Sequence, residues 1–191
     1  VNGWRVFCAV DLPDEVKALA SGHAARLREA CPDARASWER PEKLHLTLKF
    51  LGDVEPTRVA ELSQAAGRAA AGLAPFGLAI EGAGTFPPRG APRVLWLGVR
   101  DASGGLARLQ SALEDECAAL GFARERRPFS PHLTVARLRD PRGAGPLAAA
   151  HAAAGFAEVA FDVAVMLVVR SHLEPRGSRY ERVSSHPLSA G

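Results

Sequence analysis

The stretch Leu44-His45-Leu46-Thr47-Leu48-Lys49-Phe50-Leu51 returns later in the chain as His132-Leu133-Thr134-Val135-Ala136-Arg137-Leu138. In an extended strand the side chains alternate between faces, so a His and a Thr two positions apart share one face while Leu46, Leu48, Leu133 and Val135 take the other. Each stretch therefore reads as a strand with one buried face and an imidazole beside a hydroxyl on the opposite face. Brought face to face, two such pairs supply a general base, a general acid and two hydrogen-bond donors around a small anionic group. That set can break a phosphodiester without a metal.

The flanking sequence repeats as well. Arg5-Val6 maps onto Arg93-Val94 at an offset of 88 residues, and His45 maps onto His132 at an offset of 87. Two landmarks at nearly one spacing point to a duplication. A single His-x-Thr is ordinary strand surface; two copies at equivalent places in a repeat argue for a site. Arg5 to Leu12 is a short apolar run ended by Pro13, a buried strand. Asp14 to Ala30 has helical spacing of Val16, Leu19, Ala20 and Leu27, an acidic start and a basic latter half. A second helix is expected from Pro56 to Ala71, and a strand from Phe76 to Phe86 with a bulge near Gly82 and Gly84. The second half restarts with a strand at Arg93, then a helix capped by Ser103 and running to about Leu120. After the second His-x-Thr strand come a short helix from Gly145 to Ala154, one or two strands within Phe156 to Arg170, and a last strand from Ser178 to Val183.

The fold class that follows is α+β: two similar lobes with largely antiparallel sheets flanked by helices, related by a pseudo-twofold around a central cleft. The 191 residues read as a single bilobal domain, 1–191, with an internal repeat over approximately 5–86 and 93–170. Hydrophobic residues make up 47% and charged residues 24%, the balance of a water-soluble globular protein, and the net charge of +3 suits an anionic substrate. Cys8, Cys31 and Cys117 are far apart and form no Cys-x-x-Cys pair, so neither a disulfide framework nor a thiolate zinc site is expected. Val1-Asn2-Gly3-Trp4-Arg5 lacks the regions of a signal peptide, and no stretch is apolar for the length of a membrane span. A cytoplasmic protein is expected, with no membrane partner and no obligate protein partner.

The candidate catalytic residues are His45, Thr47, His132 and Thr134. A zinc site built on the two histidines would need a third ligand, and no metal-binding motif offers one, so no metal and no cofactor are expected. Lys49 shares strand parity with His45 and Thr47 and is expected on their face, whereas Arg137 has the wrong parity and is expected on the far side unless the strand bends. Phe129 and Trp38, in irregular segments near the motifs, are candidate platforms for stacking a base. The basic run Arg124, Arg126 and Arg127 reads as a solvated loop, and His23, His151, His172 and His186 as structural histidines.

With these residues in view, the chain resembles the 2H phosphoesterases, and within them the RNA 2',3'-cyclic phosphodiesterases also called LigT-type 2'-5' RNA ligases. The resemblance rests on Arg5 to Val10, Leu44 to Gly52, Gly84-Thr85-Phe86-Pro87, Arg93-Val94-Leu95-Trp96 and Phe129 to Arg137. It implies metal-independent hydrolysis of an RNA terminal 2',3'-cyclic phosphodiester, or of a small cyclic nucleotide, to a 2'-phosphomonoester. It further implies that His45 protonates the departing 3' oxygen, that His132 takes the proton from water, and that Thr47 and Thr134 hold the non-bridging oxygens. Arg137 also matches the family pattern, which places it with the phosphate despite its parity. Two alternatives stay open: 2'-5' ligation at the same site, and a non-catalytic module that binds RNA ends.

Overall fold

The computed structural model describes residues 3–175 and 177–189; residues 1 and 2, read above as part of the N-terminus, lie outside it, as do 176, 190 and 191. The apolar run after Gly3 becomes β1 (Trp4–Asp11), and Val6, Phe7, Cys8, Ala9 and Val10 are all buried. A strand buried on both faces must lie inside a sheet with both sides covered. β1 accordingly sits between two antiparallel neighbours, β3 (His45–Val54) and β8 (Val165–Glu174).

The other elements are α1 (Asp14–Ala30), β2 (Ala36–Trp38), α2 (Val59–Ala71), β4 (Phe76–Phe86), β5 (Val94–Arg100), α3 (Gly105–Ala119), β6 (His132–Leu138), α4 (Ala144–Ala154), β7 (Val159–Val163) and β9 (Gly177–Pro187). The bounds of α1 and β4 are those expected from the sequence. α1 buries Val16, Ala20, His23, Ala24 and Leu27 along one face, with Asp14 and Glu15 at its positive end and Arg28 in its last turn. Pro56–Arg58 forms a 3-10 turn ahead of α2 instead of its first turn. At α3 the N-cap residue is Gly104, in the left-handed region, where glycine meets no Cβ penalty. Ser103 still serves the helix end, its Oγ accepting from the Gly105 N–H at 3.1 Å, while Asp101 accepts from the Ala107 N–H at 3.1 Å.

Two antiparallel sheets result, in the orders β3-β1-β8-β9 and β2-β6-β5-β4-β7. Their inner strands correspond. β1 lies between β3 and β8, and β5 lies between β6 and β4. The sequence halves are nevertheless not the lobes. β2 and β4, from the first half, pair with β6 and β5, and β8, from the second half, pairs with β1 and carries β9 with it, so each half lends two strands to the other sheet. The helices follow the same crossing: α1 packs against β6 and α3 against β3, while α2 covers β8 and β9 and α4 covers β4. This exchange ties the two sheets into one continuous hydrophobic core. A smaller apolar cluster, Phe7, Ala9, Leu167 and Val169 with Tyr180 against it, is separate from that core. Phe7 and Tyr180 belong also to the lining of the cleft, so this cluster floors the cleft on the side of the first sheet.

Candidate active site

Both His-x-Thr strands carry the same irregularity. Along β1 and β3, Ala9 pairs with Thr47 and Cys8 with Lys49, which leaves Leu48 without an opposite residue. Along β5 and β6, Trp96 pairs with Thr134 and Leu95 with Ala136, which leaves Val135 without one. A β-bulge of this kind inserts one residue and reverses the facing of everything after it. Leu48 and Lys49 are therefore buried in succession, as are Val135 and Ala136, and the next residues, Phe50 and Arg137, return to the cleft side.

Two expectations from strict alternation are corrected by these bulges. Lys49 is not on the face of His45 and Thr47; it is 6% exposed and points to the core. Its ammonium donates to both Glu114 carboxylate oxygens, at 2.9 and 2.8 Å, and to the Ala123 carbonyl at 2.8 Å, which uses all three of its protons. Arg137, by contrast, joins the cleft face, where its Nε lies 3.5 Å from a Glu39 carboxylate oxygen. The repeat thus places Phe50 and Arg137 at equivalent positions, and Lys49 at the position equivalent to Ala136.

The two histidines are held alike. His45 Nδ1 lies 2.6 Å from the Lys43 carbonyl and His132 Nδ1 lies 2.8 Å from the Ser130 carbonyl, in each case the residue two before. A carbonyl can only accept, so each Nδ1 carries the proton and each Nε2 is left to exchange one. Beyond that tether the environments diverge. His45 Nε2 is 3.0 Å from Thr47 Oγ1, and its ring stacks on Phe7 at 4.8 Å with Tyr180 edge-on at 5.4 Å. Burial lowers the pKa of His45 below its ordinary 6.5, against the opposing pull of the Lys43 carbonyl and of Asp11, its partner across the strands. Burial, then the Glu39 carboxylate, pushes the Tyr180 phenol upward and keeps it neutral. His132 meets only the edge of Phe86 at 5.0 Å, and no described residue hydrogen-bonds its Nε2.

The cleft between the sheets, about 640 Å³, is lined by His45, Thr47, His132 and Thr134 together. Arg137 and Trp38 line it as well, Trp38 from β2 and with the Arg28 guanidinium 5.3 Å from its ring. Phe129 does not. It packs against the hydrophobic core, because the loop before β6 turns its apolar ring inward. Sequence reading missed Phe7 and Tyr180, the walls of His45, and Phe50, 49% exposed beneath the Arg5 guanidinium. It also missed the cations Arg5, Arg40, Lys43 and Arg139, which line the cleft with Arg137. Phe7 was hidden in an apolar run and Phe50 by the bulge, whereas Tyr180, the sole tyrosine, could have been singled out.

Arg124 of the basic loop pairs with Asp115 at 2.7 Å, away from the cleft. Among the remaining histidines, His23 and His151 form a buried pair, Nε2 to Nδ1 at 2.9 Å, and His151 Nε2 lies 3.0 Å from the Trp96 carbonyl. His172 pairs with Glu181, and His186 with Ser184. Among the described residues no group of three or more His, Cys, Asp or Glu side chains is arranged to hold a metal ion, and no helix is long and apolar enough to cross a membrane.

A family model described as LigT-like phosphoesterase matches this chain twice, over residues 10–96 and 97–180, each match holding one His-x-Thr pair. The chain belongs to the LigT-like phosphoesterases. This LigT-like phosphoesterase is 37% identical over 183 residues to an RNA 2',3'-cyclic phosphodiesterase of Geobacillus stearothermophilus, covering 95% of this chain. It spans only 56% of that relative's length, about half. A Methanothermobacter thermautotrophicus protein of the same name is 35% identical, with 92% of this chain and 94% of the relative covered. Among solved structures, a Thermus thermophilus protein superposes with a TM-score of 0.78 at 29% identity, covering 96% of this chain and 97% of that one. Escherichia coli LigT complexed with 3'-AMP superposes with a TM-score of 0.74 at 27% identity, over 97% and 98% of the two chains.

Proposed function

We propose that this LigT-like phosphoesterase hydrolyses RNA terminal 2',3'-cyclic phosphodiesters to 2'-phosphomonoesters by acid–base catalysis from the two His-x-Thr pairs. The observation that carries the reading is the matched tethering of the two imidazoles, which presents two exchangeable Nε2 atoms, from different strands of different sheets, to one cleft. Relatives that carry the name RNA 2',3'-cyclic phosphodiesterase support the substrate class, and E. coli LigT accepts a mononucleotide, 3'-AMP, in its crystal structure.

In this reading water attacks the phosphorus and gives its proton to His132 Nε2, which no described residue hydrogen-bonds. The phosphorus–O3' bond breaks on the opposite side, and O3' leaves with the proton of His45 Nε2. Thr47 and Thr134 donate to the non-bridging oxygens, whose charge grows in the transition state, and Arg137 adds a guanidinium to the same face. Each proton transfer contributes on the order of 10²- to 10⁴-fold in rate. The burial of His45 favours its neutral form in the free protein, and an acid must be charged. The entering phosphate anion resolves this, because a negative charge beside an imidazole favours the imidazolium. Tyr180 and Phe7 exclude water from the acid and strengthen that attraction.

The test is incubation of the purified protein with a 2',3'-cyclic nucleotide and with cyclic-ended RNA in excess EDTA, the product assigned by phosphorus NMR. A 2'-phosphomonoester formed under chelation is the expected result. Loss of turnover restored by a divalent ion would overturn the side-chain mechanism, and a 2'-5' linked product from a 5'-hydroxyl RNA would identify ligation instead.

A further inference from the structure

The two imidazoles have different neighbours across their strands. Past the bulge β1 runs in step with β3, with Ala9 opposite Thr47 and Asp11 opposite His45. Phe7 and Ala9 lie on the cleft side of β1 while Val6, Cys8 and Val10 enter the core, so the alternation puts Asp11 on the cleft side beside His45. In the other sheet Trp96 stands opposite Thr134 and Gly98 opposite His132. Gly98 is therefore the counterpart of Asp11. A Cβ at Gly98 would come within 2.5 Å of the Glu81 carbonyl oxygen, so that position has no room for a carboxylate. The repeat gives an acidic neighbour to one histidine and denies it to the other.

Asp11 acts on His45 through space, because the imidazole's Nδ1 and Nε2 are already engaged by the Lys43 carbonyl and Thr47. The carboxylate is itself held in place. Its Oδ1 accepts from the Leu12 N–H at 2.9 Å and lies 2.7 Å from the ammonium of Lys17, an α1 side chain only 14% exposed. The floor beside it, Phe7, Ala9, Leu167 and Val169, is apolar and screens a charge less than water does. Arg137 and Lys17 work the other way and favour the neutral imidazole, while Glu39 offsets Arg137 from 3.5 Å and Tyr180 stays neutral. We propose that Asp11 commits His45 to the part of the acid: its carboxylate favours the imidazolium, and Lys17, by pairing with that carboxylate, sets how much of the charge His45 feels. Asp11 lies outside the cleft lining and is a positioning residue that works through His45. The proposal rests on the phosphodiesterase reading above and deepens it with the group that makes two like histidines unlike.

The experiment follows the His45 and His132 ring resonances by NMR against pH in the resting protein, for the parent, Asp11→Asn and Lys17→Met. Asp11→Asn keeps an oxygen for the Leu12 N–H and removes the charge, and should lower the His45 midpoint by about 0.5 to 1 pH unit. Lys17→Met releases the carboxylate from its partner and should raise that midpoint. Asp11→Glu should stay near the parent, and the His132 midpoint should move less than that of His45 in every variant. Each charge variant tests one sign, so either alone suffices if the other does not fold. In kinetics Asp11→Asn should lose about 3- to 10-fold in kcat/KM for a 2',3'-cyclic nucleotide at neutral pH, the fold that such a shift represents. It should lose nothing with a nitrophenyl phosphodiester, whose leaving group needs no acid. An unmoved His45 midpoint in Asp11→Asn, or shifts of one sign in both charge variants, would overturn the proposal. Equal losses on the two substrates would overturn it as well, for then the charge does not serve the acid. Turnover by the parent with an unmoved midpoint rejects Asp11 alone. Opposite shifts in a protein that hydrolyses neither substrate reject the hydrolase reading and leave the coupling of Asp11 to His45 standing.

Discussion

Lys49 offers a sharp test of how the bulge divides structure from chemistry. Replacing it with Met keeps the length of the side chain and removes the ammonium, leaving the Glu114 carboxylate buried with only the Gln110 amide and the Glu125 N–H, both at 3.3 Å, as donors. The Ala123 carbonyl loses its partner as well. Removing one member of a buried ion pair costs about 3 to 5 kcal/mol, because the other charge is left without compensation. At about 2 to 4 °C per kcal/mol for a chain of this size, Tm should fall by about 6 to 20 °C. Adding Glu114→Gln withdraws the orphaned charge and retains an acceptor for the Glu125 N–H. The double variant should therefore recover much of the loss, with a coupling energy of roughly 1 to 3 kcal/mol in a double-mutant cycle read by urea unfolding. The same protein should hydrolyse a cyclic phosphate within about threefold of the parent, a change in barrier below about 1 kcal/mol. The reasoning fails if the double variant regains stability and yet is as inactive as a threonine variant, for then Lys49 serves the phosphate. It fails also if Lys49→Met alone is nearly neutral.

Thr47→Ala and Thr134→Ala should each cost about 2 to 4 kcal/mol in kcat/KM, the scale of one lost oxyanion donor, with Ser largely retaining activity; parent rates in both alanine variants would make the threonines structural. A nitrophenyl phosphodiester, whose leaving group needs no proton, should rescue His45→Ala far more than His132→Ala, and the opposite pattern would exchange the roles. The buried pair of His23 and His151 should weaken the fold in acid. Burial, then the His151 and Arg26 charges, hold the His23 pKa down from 6.5 to about 4, so the unfolded chain takes up the proton first. Stability is then fully present above about pH 6.5 and falls as pH drops towards 4, with a slope of up to about 1.4 kcal/mol per pH unit from this group. A urea midpoint unchanged over that window, or as steep in His23→Gln as in the parent, would show that the pair is not held neutral. Because kcat/KM reports the free enzyme, the lowered pKa of His45 places one limb of its pH profile below 6.5, and that limb should vanish in His45→Ala assayed with the activated substrate.

What the sequence disclosed follows the range of the forces involved. The period of two carried His45, Thr47, His132 and Thr134 correctly to one face of each strand, since each pair spans a single alternation. It failed one residue later. Leu48 and Val135 are ordinary strand residues with no glycine or proline to mark a bulge, and the bulges are defined by pairing to β1 and β5, far away in the chain. Lys49 was placed on the wrong face and Arg137 regained the right one for the same reason. Helix limits were legible where local chemistry sets them, as for α1 between Pro13 and Cys31. The strand β2 was not, because three residues carry no period. The exchange of β4 and β8 between sheets is likewise a matter of long-range pairing, on which local pattern is silent.

A duplicated fold poses a chemical problem that these side chains solve. In-line displacement needs two unlike groups, one to accept a proton and one to give it, whereas a repeat delivers two like ones. The tethers of His45 and His132 preserve the likeness, fixing the same tautomer in both. The difference is added by neighbours outside the motif. Phe7 and Tyr180 close over His45, and Thr47 occupies its Nε2, so its proton is exchanged only with what enters the cleft. His132 stays open enough for water. The third cleft-facing position of each repeat then breaks the symmetry again, with Phe50 on the strand of the proposed acid and Arg137 on that of the proposed base. In that reading a guanidinium beside the base holds the phosphate toward attacking water, and its charge also lowers the pKa of His45, so the bound phosphate must offset both that charge and burial to keep the acid protonated. Adding a second guanidinium, in Phe50→Arg, should therefore lower activity even with both histidines and both threonines intact, because it would push His45 further toward the neutral form than Arg137 already does.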